Sequence, residues 1–407
     1  MSPRGKRVAA VICNWNKKDY LLGCLESVIG QTLRAHPPAQ SGNFIKSDVL
    51  TELDVFVVDN ASTDGSAESV ANTYGDSVTL IRNAVNRGGA GGFNDGIREA
   101  LRSNRDYDYL VLLDNDVQLD SRAIDELVNF MESTHNAAMA GSKIYSMSNP
   151  GTLQEFGAGL DWEHATIAPH KKGYSETVHG ALVANIETDY VPACASIVRR
   201  SAIEKCGAME ESYFIYWDDI EWAWRMRRFG YSIFVVASSL VWHHMGTSNK
   251  KNLAPTYYFW RNRVRFFKKY GGRTSMYALF LDAYTALFTC GVFEKTNTSA
   301  ILSQALADGL NDVGGRRDFE DGMVLNLDTP KNFLAIYAEE DLPKLNYVNV
   351  GHVILDASTL DVPGRLDVYT DRYGNVLPAL QAIAFKADFD KHREEYINVT
   401  LNKCGFK

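Results

Sequence analysis

The sequence lacks several features that mark specialised classes of protein. No two of its 6 cysteines stand in CxxC spacing, so zinc-ribbon and dithiol redox motifs have no support. Positive charge is not in excess: 42 basic residues face 50 acidic ones, a formal net charge of −8, which disfavours a general nucleic-acid binder. Low-complexity segments and internal repeats are absent from the sequence. A chain of 407 residues, 45% of them hydrophobic, can instead build a large core without disulfide bonds.

Long uninterrupted apolar runs are also missing. Residues 1–13 carry basic side chains, but the sequence turns polar at Asn14, which is too early for a signal-peptide core. The longest apolar stretch, 276–293, contains Asp282 and makes a poor membrane span. Several cysteines lie in apolar runs, as is typical of buried, reduced thiols. We therefore expect a cytoplasmic location.

The first third of the chain alternates strand-like with helix-like segments. This alternation predicts an α/β fold, with a mostly parallel sheet flanked by helices on both faces. Such sheets bind ligands at the carboxyl ends of their strands. The predicted strands are residues 7–13, 53–58, 78–81 and 109–113, and the predicted helices are residues 19–30, 94–102 and 121–131.

After the first third of the chain, the regular alternation of predicted strands and helices gives way first to a run of helices and then to short strands. A helix is predicted at 220–229 and a strand at 232–236; helices follow at 255–270, 276–293 and 299–310, and strands at 347–355 and 365–370. A hairpin turn is predicted at 373–375, and the polar segment 34–51 is predicted to be a loop. We therefore predict a catalytic domain over 1–250, a C-terminal helical extension over 251–319 and a small β-containing accessory module over 320–407.

A DxD pattern, Asp114-Asn115-Asp116, follows the apolar run YLVLL. Two carboxylates two residues apart at a turning strand end can reach one divalent cation. The alternative is that they are solvated turn residues. Asp59 ends the second predicted strand in the same way, so it is expected at the same edge of the sheet.

The segment Trp217-Asp218-Asp219-Ile220-Glu221 opens a predicted helix. Acidic residues at a helix start usually interact with the helix dipole. Three acids beside a tryptophan exceed that need, and adjacent carboxylates repel one another. Repulsion raises the pKa of one carboxyl and prepares it to act as a general base.

Two further segments carry candidate binding residues. Residues 86–93, NRGGAGGF, contain four glycines before a helix, which lets backbone N–H groups approach a phosphate, although a flexible turn would look the same. They form neither a GxGxxG fingerprint, because Asn94 stands where glycine is needed, nor a P-loop. His243 and His244 follow an apolar run, and a histidine there is either structural or a third metal ligand.

In this order, the segments resemble family 2 glycosyltransferases of the GT-A fold. The resemblance covers about residues 7–245 and rests on VAAVICNWN, VVDNASTDGS, NRGGAGGFNDGIREAL, YLVLLDNDV, YFIYWDDIEWAWRMRRFGY and VWHHMG. Within the family, the chain is most similar to bacterial galactofuranosyltransferases and rhamnosyltransferases. The later segments YYFWRNRVRFFKKY and ALADGLNDVGGR also resemble the tails of these enzymes.

The resemblance implies a role for each matching position. Asp219 would be the catalytic base, and Asp114, Asp116 and His243 would bind Mn²⁺ or Mg²⁺, with His244 as the alternative to His243. The nucleotide would be contacted by Asp59 at the nucleobase or ribose and by Asp114 at the ribose, while Asn86, Arg87, Gly88 and Gly89 would lie near the nucleotide or its diphosphate. Asp218 and Glu221 would orient the catalytic base or bind the acceptor, and Trp217 would stack on an acceptor sugar.

The implied activity is an inverting, metal-dependent transfer of a hexose from a nucleotide sugar. UDP-galactofuranose and dTDP-rhamnose are the expected donors, and a glycan or lipid-linked acceptor in cell-surface polysaccharide synthesis is the expected recipient. Two alternatives remain: a catalytically degenerate scaffold that binds nucleotide sugars, and a sugar-nucleotide pyrophosphorylase. The latter normally has its glycine-rich loop directly after the first strand, where residues 13–16 read CNWN here.

A basic cluster precedes the apolar stretch: Arg261, Arg263, Arg265, Lys268, Lys269 and Arg273. A basic helix beside an apolar one can lie on an anionic membrane surface, so residues 261–293 are a candidate peripheral membrane contact. The alternative is that these helices pack within the protein. Self-association is left open, and no nucleic-acid partner is expected.

Overall fold

The computed structural model describes residues 5–32, 51–244, 253–292, 296–317, 346–349 and 354–356, with a few positions between 394 and 406. Residues 34–50 of the predicted loop over 34–51, the predicted strand over 365–370 and the predicted turn at 373–375 lie outside this part of the chain. The chain divides into two compact units. The first comprises residues 1–160 and 167–247, and the second comprises residues 161–166 and 248–407.

Up to residue 244 the chain alternates strands and helices. The strands are β1 (Lys6–Asn14), β2 (Thr51–Asp59), β3 (Thr79–Arg82), β4 (Tyr109–Asp114), β5 (Val117–Leu119), β6 (Ala137–Ser146), β7 (Asn149–Glu155), β8 (Ala158–Asp161), β9 (Thr166–Pro169), β10 (Ile186–Thr188), β11 (Ala195–Arg199) and β12 (Ser232–His243). The helices are α1 (Lys18–Thr32), α2 (Ser66–Tyr74), α3 (Gly88–Arg102), α4 (Ala123–Ser133), α5 (Glu176–His179), α6 (Arg200–Cys206) and α7 (Asp218–Arg228).

The large sheet has the strand order β10-β12-β6-β11-β4-β1-β2-β3, with β5 paired to β12 and β7 to β6. The run β4-β1-β2-β3 is parallel, as is the pair β6–β12. Strand β11 runs antiparallel between these two groups. The predicted α/β class is therefore confirmed, with a mixed sheet in which the four strands β4-β1-β2-β3 are parallel.

Helices cover both faces of the parallel strands. The side chains of Val8, Ala10 and Ile12 on β1 join a core with residues of α1 and α4. Val11 points to the opposite face, where Gly96 of α3 packs so closely that a Cβ atom there would lie 2.2 Å from the Val11 side chain. Because helices cover both faces of β1, its side chains are apolar at successive positions, as expected for a strand buried on both sides.

Two local features differ from the prediction. Helix α3 begins at Gly88, not at Asn94, so most of the predicted glycine-rich turn is helical. Glycine disfavours helix, but the packing of α3 requires it: at Gly92 a Cβ would lie 2.3 Å from the Cys13 sulfur. The three-residue strand β5 was not predicted, because it is too short to show periodicity.

The second unit contains α8 (Ala254–Tyr270), α9 (Arg273–Val292) and α10 (Thr296–Leu310), which confirms the predicted helices. Two strands, β13 (Asn346–Asn349) and β14 (Ile354–Asp356), pair antiparallel where one strand over 347–355 was predicted. Within the described residues, no helix has the length and apolar character to cross a membrane.

The central cations of the predicted membrane surface are buried inside this unit. Arg261 is 0% and Arg263 is 3% exposed. Arg263 donates a hydrogen bond to the carbonyl of Ala165 at 2.7 Å and pairs with Asp282 at 2.5 Å. These two arginines therefore give no support to the candidate membrane contact over 261–293, since both side chains are buried in the helical packing, as the alternative expects.

Candidate active site

The carboxyl ends of three neighbouring parallel strands meet at one edge of the sheet. Asn14 at the end of β1 pairs in register with Asp59 at the end of β2. On the other side of β1, Cys13 pairs with Asp114 at the end of β4. The topology thus brings both acidic residues predicted for the nucleotide site to this edge.

Asp59 is held in a buried polar network. Its two carboxylate oxygens accept hydrogen bonds from the Asn14 side chain at 3.2 Å and from the Ser62 backbone N–H at 3.1 Å. The Asn14 amide oxygen in turn accepts one from Asn115 at 2.7 Å. This hydrogen-bonded network connects the ends of β1, β2 and β4 and lines this edge of the sheet with polar side chains.

Strand β12 brings a histidine to the DxD turn. His243 lies opposite Val117 of β5, the residue directly after Asp116. This register follows a bulge in which Leu240, not Ala237, pairs next after Val236. The backbone N–H of His244 donates to the Asp116 carbonyl at 3.0 Å, while its ring packs against Tyr20. The structure therefore places His243, rather than His244, beside the aspartates.

Asp114, Asp116 and His243 form a compact triad. Each offers one ligand atom, and these atoms lie within 4.8 Å of one another. Nε2 of His243 is 3.1 Å from one Asp116 oxygen, and the Lys17 ammonium is 2.5 Å from the other. Two carboxylates and an imidazole are suitable ligands for Mn²⁺, and the carboxylates also suit Mg²⁺. The cationic Lys17 occupies the kind of position that a divalent ion would take.

Burial and charge separate the two aspartates of the triad. Desolvation raises the pKa of Asp114 to about 6. Burial also acts to raise the pKa of Asp116, but His243 and Lys17 outweigh it and hold that pKa below its usual range. Burial alone would lower the pKa of His243, yet the hydrogen bond with Asp116 and the charge of Asp114 raise it. The triad thus concentrates negative charge that a cation would neutralise.

A second acidic pair, Asp218 and Asp219, stands at the first turn of α7. The Asp219 carboxylate accepts hydrogen bonds from the backbone N–H groups of Ala193 at 3.2 Å and Ile220 at 2.9 Å. Desolvation, and then the charge of Asp218, raise the pKa of Asp219 well above its usual value. Burial also raises the pKa of Asp218. These are the properties of a general base near neutral pH.

Two consecutive residues connect the acidic pair to the triad. The N–H of Ala193 donates to Asp219, and the carbonyl of Cys194 accepts from the N–H of Asp114 at 3.1 Å. The charge of Asp114 contributes to the raised pKa values of Asp218 and Asp219. Metal-ligand candidates and base candidate therefore belong to one electrostatic site.

The loop before α7 is strained and locked to α3. Phe214, Tyr216 and Trp217 all have positive φ angles, of 68°, 63° and 67°. Such conformations cost about 1–3 kcal/mol each and cluster at functional sites. Gly88 has φ +73°, and a Cβ there would lie 2.1 Å from the Phe214 carbonyl oxygen. Glycine at position 88 thus allows the loop to dock.

The other residues of the predicted phosphate segment have local partners. The Asn86 side chain accepts from the Gly88 N–H at 2.8 Å. The Arg87 guanidinium pairs with Asp95 at 2.7 Å and with Glu211. Gly89 lies beside Asp218, since a Cβ there would be 3.6 Å from its carboxylate. In this structure Arg87 ties α3 to the turn that precedes the strained loop.

Two predicted substrate contacts are corrected by burial. Trp217 is 1% exposed, so its ring packs in the interior and presents no face to a sugar; Tyr216, 41% exposed, is the accessible aromatic of that loop. Glu221 is 0% exposed and pairs with Arg225 at 3.0 Å. Arg225 also donates to the carbonyl of Ala208 at 2.8 Å. Glu221 is therefore a structural ion-pair partner, not an acceptor ligand.

Sequence reasoning missed three residues at this site. Trp15, 55% exposed, projects from the end of β1 between Asn14 and Asn16. Lys17 contacts Asp116, and Gln154 contacts His243 at 2.6 Å. The positions of Trp15 and Lys17 just after the first predicted strand could have identified them, whereas nothing in the sequence around Gln154 distinguishes it.

Comparison with known proteins agrees with this site. Residues 9–207 match the family model described as glycosyl transferase family 2. The chain is 24% identical over 199 residues to galactofuranosyltransferase GlfT2 of Mycolicibacterium smegmatis, covering 45% of this chain and 30% of that protein. It is 24% identical over 213 residues to an N-acetylglucosaminyl-diphospho-decaprenol L-rhamnosyltransferase of Mycobacterium tuberculosis, covering 49% of this chain and 69% of that protein.

Among solved structures, the chain is similar to GalNAc-T7 with UDP, GalNAc and Mn²⁺, with a TM-score of 0.49 and 12% identity over 67% of this chain and 49% of that one. The match to galactofuranosyltransferase GlfT2 covers less than a third of that protein's length. The family match covers the strands and helices that build the triad's aspartates and the Asp59 network. The part of the chain that carries these elements, residues 9–207, is therefore similar in sequence to glycosyl transferase family 2.

Proposed function

We propose that this protein is an inverting, metal-dependent glycosyltransferase that moves a sugar from a nucleotide sugar to a glycan or lipid-linked acceptor. The observation that carries this proposal is the single electrostatic site formed by the Asp114–Asp116–His243 triad and Asp219, connected through Ala193 and Cys194. Glycosyl transfer needs one group that neutralises the departing diphosphate and one that removes the acceptor proton. The two halves of the site match these needs.

Asp114, Asp116 and His243 are proposed to hold Mn²⁺ or Mg²⁺. A divalent cation there would supply positive charge to the diphosphate leaving group. Lys17, which is paired with Asp116 in this structure, would be displaced from that carboxylate by the cation. The buried Asp59 network and the exposed ring of Trp15 form the adjacent part of the edge, where we place the nucleoside.

Asp219 is proposed to accept the proton of the acceptor hydroxyl as that oxygen attacks the anomeric carbon. Its two backbone hydrogen bonds fix the carboxylate, and its raised pKa makes it a stronger base than a solvated aspartate. One base opposite the leaving group gives a single in-line displacement, which inverts the anomeric configuration. Tyr216, exposed on the strained loop, is proposed to pack against the acceptor in place of the buried Trp217.

The donor is proposed to be UDP-galactofuranose or dTDP-rhamnose. The support is the similarity to a galactofuranosyltransferase and to an L-rhamnosyltransferase. Both relatives carry names of transferases, and the second one's name includes a diphospho-decaprenol acceptor. We accordingly propose a role in cell-surface polysaccharide synthesis at the cytoplasmic side of the membrane, with residues 1–250 as the catalytic domain.

Nucleotide release from a panel of sugar nucleotides tests this proposal. The panel contains UDP-galactofuranose, dTDP-rhamnose and common hexose donors, each with Mn²⁺, Mg²⁺ or EDTA and with a lipid-linked glycan extract as acceptor. We expect acceptor-dependent release from one donor, abolished by EDTA, with an inverted anomeric configuration in the product by NMR. Binding of a nucleotide sugar without release from any donor would favour the scaffold alternative and contradict the proposal.

A further inference from the structure

A glutamine outside the proposed chemistry holds the histidine of the triad. The side-chain amide nitrogen of Gln154 lies 2.6 Å from Nδ1 of His243. The other ring nitrogen, Nε2, lies 3.1 Å from Asp116. The imidazole is therefore fixed at both nitrogens, by an amide on one side and by a carboxylate on the other.

A β-bulge places this glutamine. Ile144 of β6 pairs with Glu155 of β7, but the next residue, Tyr145, pairs with Leu153. Gln154 is therefore the extra residue on β7, opposite no partner in the ladder. Bulges of this kind redirect one side chain and are common next to active sites.

The amide oxygen of Gln154 is the unexplained part of the contact. It is buried, and within the described part of the chain no group donates a hydrogen bond to it. Leaving a buried acceptor unsatisfied costs about 1–3 kcal/mol. This buried oxygen beside a proposed metal ligand is therefore a group whose hydrogen-bonding partner needs an explanation.

The two ends of the amide match the two neutral tautomers of His243. With the amide N–H donating to Nδ1, the ring proton sits on Nε2 and is donated to Asp116. A half-turn of the amide brings its oxygen to Nδ1, which then carries the proton. Nε2 is left with a free lone pair directed at the aspartates, the form that binds a metal ion.

We propose that Gln154 is a positioning residue for His243 that supports the Nε2–H tautomer without metal and the Nδ1–H tautomer with it. This inference rests on the proposed function, because it requires a cation at the triad. In the change of tautomer, the ring proton would move from Nε2 to Nδ1 by exchange with solvent, so that the Nε2 lone pair would be free to hold a cation. The orphaned oxygen gains its donor in the metal-bound state.

Mn²⁺ affinity of the full chain, measured from the EPR signal of free Mn²⁺, tests the proposal without any turnover. Gln154→Leu removes both hydrogen-bonding ends, and we expect it to weaken Mn²⁺ binding by about 10- to 100-fold. Gln154→Glu keeps an acceptor for Nδ1–H, and we expect its affinity to equal or exceed that of the wild type. Gln118→Leu makes the same change at an exposed residue of neighbouring β5 and should leave the affinity unchanged.

Nitrogen-15 NMR of the histidines supplies a signature that a merely structural role would not move. The His243 signals are identified by their loss in His243→Asn. Without metal, wild type should show the Nε2–H tautomer and Gln154→Glu the Nδ1–H tautomer. This readout also serves if Gln154→Leu fails to fold.

Wild-type affinity in a folded Gln154→Leu protein, or an unchanged tautomer in Gln154→Glu, would overturn the role of Gln154 while leaving the metal site intact. Absence of Mn²⁺ binding in both wild type and Gln118→Leu would instead overturn the metal site, and this inference with it.

Discussion

Replacing Asp219 with asparagine removes the proposed base while preserving its shape. In the wild-type protein, the Asp219 carboxylate accepts hydrogen bonds from the backbone N–H groups of Ala193 and Ile220. An asparagine keeps one of these acceptors and turns an NH₂ group toward the other donor, at a cost of about 1–3 kcal/mol. The loss of repulsion with Asp218, which raises the pKa of Asp219, acts in the opposite direction. We therefore expect the variant to fold with a melting temperature within a few degrees of the wild type.

The effect on the rate should be much larger than the effect on stability. General-base catalysis contributes about 10²- to 10⁴-fold in rate, which corresponds to about 3–5 kcal/mol of activation free energy at 1.36 kcal/mol per tenfold. Donor affinity should be unchanged, because the triad and the Asp59 network do not include Asp219. The signature is a kcat reduced by two or more orders of magnitude with intact donor binding.

The assay is nucleotide release at saturating donor, acceptor and Mn²⁺, with donor binding measured by calorimetry. Asp76→Asn, at an exposed aspartate of the short turn Gly75–Ser77, is the matched control and should retain wild-type kcat. In the wild type, kcat should fall as the pH drops through the raised pKa of Asp219. A folded Asp219→Asn protein with kcat within tenfold of the wild type would refute the assignment of the base.

Three further predictions concern stability and packing. Burial raises the pKa of Asp114 to about 6 in the folded protein, so this carboxyl ionises at a lower pH in the unfolded chain, and the metal-free free energy of unfolding should fall as the pH rises from about 4 to 6. Asp114→Asn should remove up to about 3 kcal/mol of that loss in urea titrations with EDTA. The same pH dependence in the variant and the wild type would contradict this prediction. Glu221→Ala should cost about 3 kcal/mol in the same titrations by stranding Arg225, and a loss below 1 kcal/mol would argue against the ion pair. Gly88→Ala should lower the melting temperature by several degrees and reduce kcat, because its Cβ would displace the Phe214 carbonyl; a fully active, stable variant would show that the loop docks otherwise.

The sequence pattern predicted the strand ends and the acidic residues on them. Asp59, Asp114 and Asp116 follow apolar runs long enough to be recognised as strands, and in a parallel sheet such ends converge. The choice of His243 over His244 needed the pairing of β12 with β5, which depends on a bulge that no periodicity signals.

Burial decided the residues that were predicted wrongly. Trp217 and Glu221 stand beside Asp218 and Asp219 in sequence, but helix geometry and the Arg225 pair turn them into the interior. The arginines of α8 read as an exposed basic cluster, yet Arg263 is buried with carbonyl and carboxylate partners. A local pattern cannot distinguish these cases, because the partners are distant in the chain.

Gln154 illustrates the same limit at the site itself. Its contact with His243 joins residues 89 positions apart, and it exists only because the bulge on β7 redirects one side chain. By contrast, the glycines of α3 were noticed in the sequence and interpreted as either a phosphate-binding segment or a flexible turn. Their observed reason is the close approach of the helix to Cys13 and Phe214.

The most direct test of the account is anomalous diffraction from crystals grown with Mn²⁺ and a nucleoside diphosphate. The account predicts one strong manganese peak coordinated by Asp116 and by Nε2 of His243, with Asp114 adjacent, Lys17 displaced from its position beside Asp116, and the diphosphate on the metal. A manganese ion bound elsewhere, with Lys17 still paired to Asp116 and the diphosphate in place, would contradict the central claim that this triad is the metal site.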